Sequence, residues 1–448
     1  MPGVTGAGQW AAVLDGPTAE RAAAVAEEVA GRLRDPRRVA RCAEAAAQQT
    51  AFPTSLHWAP HDVAQGDAGL ALLCGHLDLC LPGQGWDRAA HAYLTAAARG
   101  AEGIGQLPPG LFSGLGGVAF TTSYLSGGGI RYRRLLGELE RWLVPDATRR
   151  GHRLSAGTAP GPVGAFDVIS GLAGTGAHLL CRRDDPAAAG ALRAVLTGLV
   201  ALCGESDGQP NWRTPPWALA NDPAMARQYP RGNLNCGLAH GIPGPLALMA
   251  LALSAGVAVD GQREAVERVA NWLAAHRLTD AWGVNWPYAV ALPDGSGAAP
   301  RPSPSRTAWC YGSPGVARAL WLAGTSLSDD RLCALAVEAL TAACRRPPGQ
   351  RNIDSPTFCH GVAGLLQVTL RFAHDTKDPF FGRAATELTD QLLELYAPDH
   401  PLGYYSLEPG GNRVDQPGLL DGAPGVVLAL LAASTDVAPA WDRLFLLS

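Results

Sequence analysis

The chain has 448 residues, 47% of them apolar and 17% charged, with a formal net charge of -4. That length exceeds one ordinary globular core, so two domains or one closed repeat architecture is expected, and the composition excludes a disordered chain. The small negative charge, with no basic stripe interleaved with aromatics, excludes nucleic acid as a partner.

The opening residues, MPGVTGAGQWAAVLDG, have no basic start and no apolar core of the signal-peptide kind, which predicts a cytoplasmic protein. Its ten cysteines are then expected to be reduced, leaving packing, metal ligation or catalysis as their uses. Cys74, Cys80, Cys181, Cys203, Cys333 and Cys344 lie in apolar helical runs and read as packing residues with no histidine nearby. A first helix is predicted near residues 18–35.

From Gly66 onward a Gly-x-x-Gly motif recurs at the head of an apolar run. The copies begin at Gly66, Gly114, Gly171, Gly241, Gly312, Gly361 and Gly422, with spacings of 48, 57, 70, 71, 49 and 61 residues. Each interval has room for two helices and their loops, so the unit is a helical hairpin. Pro243, Pro314 and Pro424 precede the second glycine and suit a first helical turn, where a missing N–H costs nothing. The runs behind these glycines are apolar on nearly every side, as inner helices are. Amphipathic segments such as 262–276 and 330–344 supply outer helices, and the alternating charge of 131–150 reads as a solvated helix face. Hairpins of this kind cannot bury their apolar faces alone, so seven of them are expected to stack into a double ring of about fourteen helices. The helix near 18–35 is expected to pack on the outside of that ring or to complete it. Segments 126–164, 204–235 and 278–308, rich in Gly, Pro, Asp and Asn, are predicted loops or small insertions on a single domain. The longest apolar run, near 243–259, is broken by Pro, Ser and Gly and is too short to span a bilayer.

Unusual residues stand just before some of these motifs: Ala239-His240 before Gly241, Cys310-Tyr311 before Gly312, and Cys359-His360 before Gly361, with Asp167 ahead of Gly171. Two thiols and an imidazole, Cys310, Cys359 and His360, suit Zn²⁺ and leave a fourth tetrahedral position open. From spacing alone the same residues read equally as two buried thiols and an ordinary histidine.

The CHG of 359–361, the WCYG of 309–312 and the LAHGIPG of 238–244 together resemble the lanthionine synthetase C-like family, the lanthipeptide cyclases, along essentially the whole chain. The resemblance implies an all-α fold, an α/α toroid of seven helical hairpins, with one zinc held by Cys310, Cys359 and His360. It also implies active-site roles for His240, Asp167, Arg306 and Tyr311. Some bacterial members carry a small inserted β domain, which leaves the content of the loops open. The implied reaction adds a peptide cysteine thiol to dehydroalanine or dehydrobutyrine and gives a (methyl)lanthionine ring. In that reading His240 supplies the proton, Asp167 orients or charges it, and Arg306 stabilises the enolate oxygen or holds Asp167. The implied partners are a dehydrated, leader-bearing precursor peptide, a dehydratase and a transporter, in the cytoplasm or in a membrane-associated biosynthetic complex. Competing readings are glutathione addition to dehydrated proteins, a prenyltransferase-like zinc enzyme, an α/α glycosidase using Asp167 and Asp421, and a non-catalytic scaffold that binds the leader peptide.

Overall fold

Two kinds of helix start recur along the chain, each set by its first residues. The computed structural model describes residues 10–53, 57–102, 104, 107–157, 161–220, 222–292, 302–353 and 355–448. The first nine residues, and with them most of the segment read for a signal peptide, lie outside the described residues. So do parts of the predicted insertions, at 158–160, 221 and 293–301.

In chain order the helices are α1 (Gly16–Leu33), α2 (Pro36–Gln49), α3 (Asp67–Cys80), α4 (Trp86–Glu102), α5 (Leu115–Leu125), α6 (Arg133–Ala156), α7 (Leu172–Cys181), α8 (Pro186–Leu202), α9 (Pro223–Gln228), α10 (Pro243–Ser254), α11 (Gln262–Ala275), α12 (Ser313–Leu327), α13 (Asp330–Arg345), α14 (Val362–Thr376), α15 (Pro379–Glu394) and α16 (Ala423–Ser434). Helices α3, α5, α7, α10, α12, α14 and α16 begin within two residues of the seven repeat glycines. Nearly every residue of α10 and α16 is buried, as their unbroken apolar sequences require. The second kind of start is Asp-Pro. Asp35, Asp185, Asp222 and Asp378 cap α2, α8, α9 and α15 by accepting bonds from their first amides, and the proline after each needs no amide partner. Asp329 caps α13 in the same way without a proline.

Gly312 makes the turn before α12 possible. Its φ of +101° lies where only glycine is comfortable, and a Cβ there would overlap the Arg306 carbonyl oxygen. Gly312→Ala is expected to cost about 2 kcal/mol or more, from backbone strain plus the clash. Chemical denaturation measures this, and a midpoint equal to the parent's would refute the account of the turn.

The contacts divide the chain into two compact units. One comprises Met1–Gly105, Thr121–Arg131 and Ile353–Asp442; the other comprises Gln106–Phe120, Tyr132–Asn352 and Arg443–Ser448. In the first, α3 packs on α4 and α14 on α15, while α16 packs on α14 and on α3. Helix α1 lies against α16 and takes the outer position for which the last repeat has no following helix. The contact is pinned by the amides of Val13 and Leu14 on the Ala433 carbonyl and by Trp10 Nε1 on Ala432. Arg371 of α14 grips fully buried Asp442 through two bonds of 2.6 Å, which compensates the buried charge.

In the second unit α7 packs on α8, α10 on α11 and α12 on α13, with α10 between α7 and α12. Segment 126–164 differs from expectation: it holds the 24-residue helix α6 and not a loop insertion. Leu139 and Leu143 of α6 pack on Val118 and Ala119, which orders the helix despite Pro145 within it. Segments 204–235 and 278–308 carry short strands: β1 (Glu205–Ser206) with β2 (Gln209–Pro210), β3 (Asn233–Asn235) with β6 (Ala289–Ala291), and β4 (Leu278–Asp280) with β5 (Gly283–Asn285), all antiparallel. The β3–β6 pair joins the two segments to each other. One further pair, β7 (Ser406–Glu408) with β8 (Asn412–Val414), lies in the first unit. No described helix is long and apolar enough to cross a membrane.

Candidate metal centre and active site

The turns before the inner helices are stitched to one another by single backbone bonds. In the second unit Val168 N donates to Ala239 O at 3.1 Å and Ala239 N to Cys310 O at 3.3 Å. In the first, Cys359 N donates to Leu420 O at 2.9 Å and Leu420 N to Ala64 O at 3.2 Å. These bonds put successive turns in register, so the residue just before each repeat glycine occupies an equivalent place. His240, Tyr311, His360 and Asp421 all stand there.

His240 Nδ1 lies 2.7 Å from Asp167 Oδ2. The carboxylate is nearly fully buried, and its other oxygen accepts bonds from the amides of Ser170 and Gly171, both at 2.8 Å. A carboxylate on Nδ1 fixes that nitrogen as the N–H and leaves Nε2 as the exchanging site. The imidazole keeps 39% of its surface open, so it can meet a substrate. Tyr311 lies beside it, with ring centroids 6.3 Å apart. Its hydroxyl accepts a bond from Asn235 Nδ2 at 3.1 Å, and its ring stacks on Tyr288 at 4.0 Å. Burial pushes the Tyr311 phenol well above its usual pKa, so it remains a protonated hydroxyl at neutral pH. Tyr288 also lines a cavity of about 340 Å³ that includes Tyr229, His276 and Pro304. Residues of segments 204–235 and 278–308 thus contribute its walls.

Each unit contributes residues with metal-ligand chemistry: Cys310 stands in the second, and Cys359 and His360, adjacent on one turn, in the first. Cys310 is buried and the other two are half-buried. Two thiols and an imidazole are the donors that zinc favours, so the three residues fit this metal in their chemistry. His360 Nδ1 stands 3.4 Å from Asp421 Oδ1.

Arg306 differs from one of its expected roles. Its side chain is exposed, and Asp167 is held by His240 and two amides instead. The expectation of no histidine near Cys80 also fails, because Cys80 Sγ lies 3.6 Å from His76 Nε2 across one turn of α3. Burial raises that thiol to about 11 and lowers the imidazole to about 4, so both stay neutral and Cys80 remains a packing residue. Asn235 and Tyr288, which frame Tyr311, carried no motif. Asp421 had a signal: it precedes Gly422 as His360 precedes Gly361.

The sequence pattern of the family described as lanthionine synthetase C-like protein matches residues 57–446. The nisin biosynthesis protein NisC of Lactococcus lactis subsp. lactis is 26% identical over 318 residues, which cover 67% of this chain and 71% of NisC. The solved structure of a nisin cyclase superposes with a TM-score of 0.73 at 22% identity, covering 91% of this chain and 97% of the other. That likeness gives the fold class, an all-α α/α toroid.

Proposed function

This chain belongs to the lanthionine synthetase C-like family, and from that premise we propose that it is a zinc-dependent cyclase. It would add cysteine thiols of a dehydrated precursor peptide to dehydroalanine or dehydrobutyrine, closing (methyl)lanthionine rings. The observation that carries the reading is the His240–Asp167 pair at a repeat turn, in a chain whose other repeat turns carry Cys310, Cys359 and His360. Zinc bound there would supply acidification of a thiol whose free pKa is near 8.5, presenting it as a thiolate near neutral pH. Held as thiolates, the two cysteines would balance the 2+ charge, and such a ligand set would favour thiol over water chemistry.

The reaction balances without an oxidant. A bond forms between sulfur and Cβ of the dehydroamino acid, the alkene pair moves through Cα to the carbonyl as an enolate, and Cα then takes a proton. In this reading His240 gives it from Nε2, while Asp167 keeps Nδ1 bonded and would stabilise the imidazolium. Tyr311 offers its neutral hydroxyl, and Arg306 a cation for the developing enolate oxygen. A dehydratase and a transporter are the proposed pathway partners.

The test is to incubate the purified protein with a dehydrated cysteine-containing peptide and count the thiols that escape alkylation, by mass, alongside metal analysis. One zinc per chain and thiol loss into rings are expected. Transfer of added glutathione to the peptide, with no ring closure, would replace the reading by intermolecular addition. Tyr311→Phe is expected to slow cyclisation about tenfold with zinc retained, as for loss of one hydrogen-bond donor at a developing charge. An unchanged rate would make the hydroxyl structural, a partner of Asn235 and Tyr288.

A further inference from the structure

We propose that Asp421 is a positioning residue for the metal centre, holding His360 by Nδ1 so that Nε2 is the ligand atom. The inference rests on the zinc reading above. Four observations support it. Asp421 Oδ1 is 3.4 Å from His360 Nδ1, within ion-pair range. The carboxylate is 20% exposed and the imidazole 35%, so neither is a freely solvated surface group. The Cys359 N to Leu420 O bond of 2.9 Å locks the two turns together one residue before each side chain. Asp421 also stands at the same place relative to its repeat glycine as His360 does.

A histidine that binds a metal through one nitrogen is commonly oriented by a carboxylate or carbonyl on the other, which fixes the tautomer and raises the basicity of the ligand nitrogen. Here Cys359 and His360 are adjacent, so both must reach one metal from a single irregular turn. The thiol of Cys359 has few torsions with which to adjust. His360 has two, and an unrestrained ring would present either nitrogen. A carboxylate on Nδ1 removes that choice. Asp167 makes a 2.7 Å hydrogen bond to Nδ1 of His240, whereas Asp421 stands at ion-pair distance from Nδ1 of His360, and we assign the two pairs different ends: one readies a nitrogen for a proton, the other for a metal.

The experiment compares the intact protein with its Asp421→Ala and Asp421→Asn variants, using zinc competition against a chromophoric chelator. Metal-free melting temperatures are taken in parallel. The unsubstituted protein is measured first; failure to bind zinc would sink the metal reading itself, before Asp421 enters. With binding established, Asp421→Ala is expected to weaken zinc about 10–100-fold. Asp421→Asn keeps the shape and an acceptor oxygen without the charge, and is expected to fall between. The metal-free melting temperatures should stay within a degree or two of the parent's, which a merely structural role would not allow. Affinities of both variants within threefold of the parent would overturn the proposal. So would an equal loss of metal-free stability in both with zinc affinity preserved. If Asp421→Ala does not fold, the near-isosteric Asp421→Asn decides by the same criterion.

Discussion

Cys359→Ala is expected to yield a folded protein that loses its zinc on dialysis and closes rings at least about 10²-fold more slowly than the parent. A ligand contributes more than the residue that orients it, so the loss should exceed that of Asp421→Ala in the same assay. The fold should survive, because the backbone at this position is held by groups that the substitution leaves alone. Cys359 donates its amide to Leu420 O, and the preceding Phe358 is fully buried against Trp441, with ring centroids 5.7 Å apart. Helix α14, which begins three residues later, is buried along most of its length. Helical packing of this extent does not depend on a metal, unlike small zinc domains that unfold without it. Helical circular dichroism and metal content after dialysis separate the two effects. Stoichiometric zinc surviving dialysis in Cys359→Ala would remove this residue from the ligand set.

Replacing His240 by Asn should have the opposite profile: zinc stays and chemistry slows. Losses of about 10²–10⁴-fold are typical when a general acid is removed. Asn is the informative replacement because its amide can still donate to Asp167, whose buried carboxylate would otherwise lose one of its three bonds. Thiols add to dehydroamino acids unaided at raised pH, so initial rates and ring stereochemistry must be compared near neutral pH. Cyclisation by His240→Asn at the parent rate, with the same stereochemistry, would make this histidine structural and shift the proton source to Tyr311 or water.

Much of the fold was legible because the glycine motif marks a backbone requirement. A turn that presses a carbonyl onto a Cα admits one residue type, and seven copies of it locate seven inner helices. Outer helices announced themselves by amphipathic patterning, as α11 and α13 did. Segment 126–164 misled because its flanking Gly and Pro outweighed the helical charge pattern of 131–150, and because Pro145 sits inside α6, where a proline usually argues against a helix. The role of α1 against α16 was legible only as an option, since pairing across most of the chain length leaves no local trace.

At the site, the candidate metal ligands and the His240–Asp167 pair could be singled out because each stands at a repeat turn, but spacing left their roles open and the family resemblance supplied them. Tyr288 and Asn235 could not. They reach Tyr311 from strand-bearing segments that have no counterpart in the other repeats. Arg306 was named without its geometry: its carbonyl supports the Gly312 turn while its side chain stays exposed.

The register of the turns has a consequence for how such a protein can change over generations. Folding of each hairpin is committed to the glycine and the apolar helix behind it, while the residue just ahead of the glycine is spared that duty. His240, Tyr311, His360 and Asp421, to which we assign chemical roles, stand at this position; Gln65, Ser113 and Ser170 hold it in the other three repeats. A mutation there alters reactivity at little risk to solubility, whereas one residue later it endangers the whole hairpin. The same ring of turns is therefore open to new substrates and new catalytic groups by single substitutions, with the scaffold left as tolerant ground on which they can be tried.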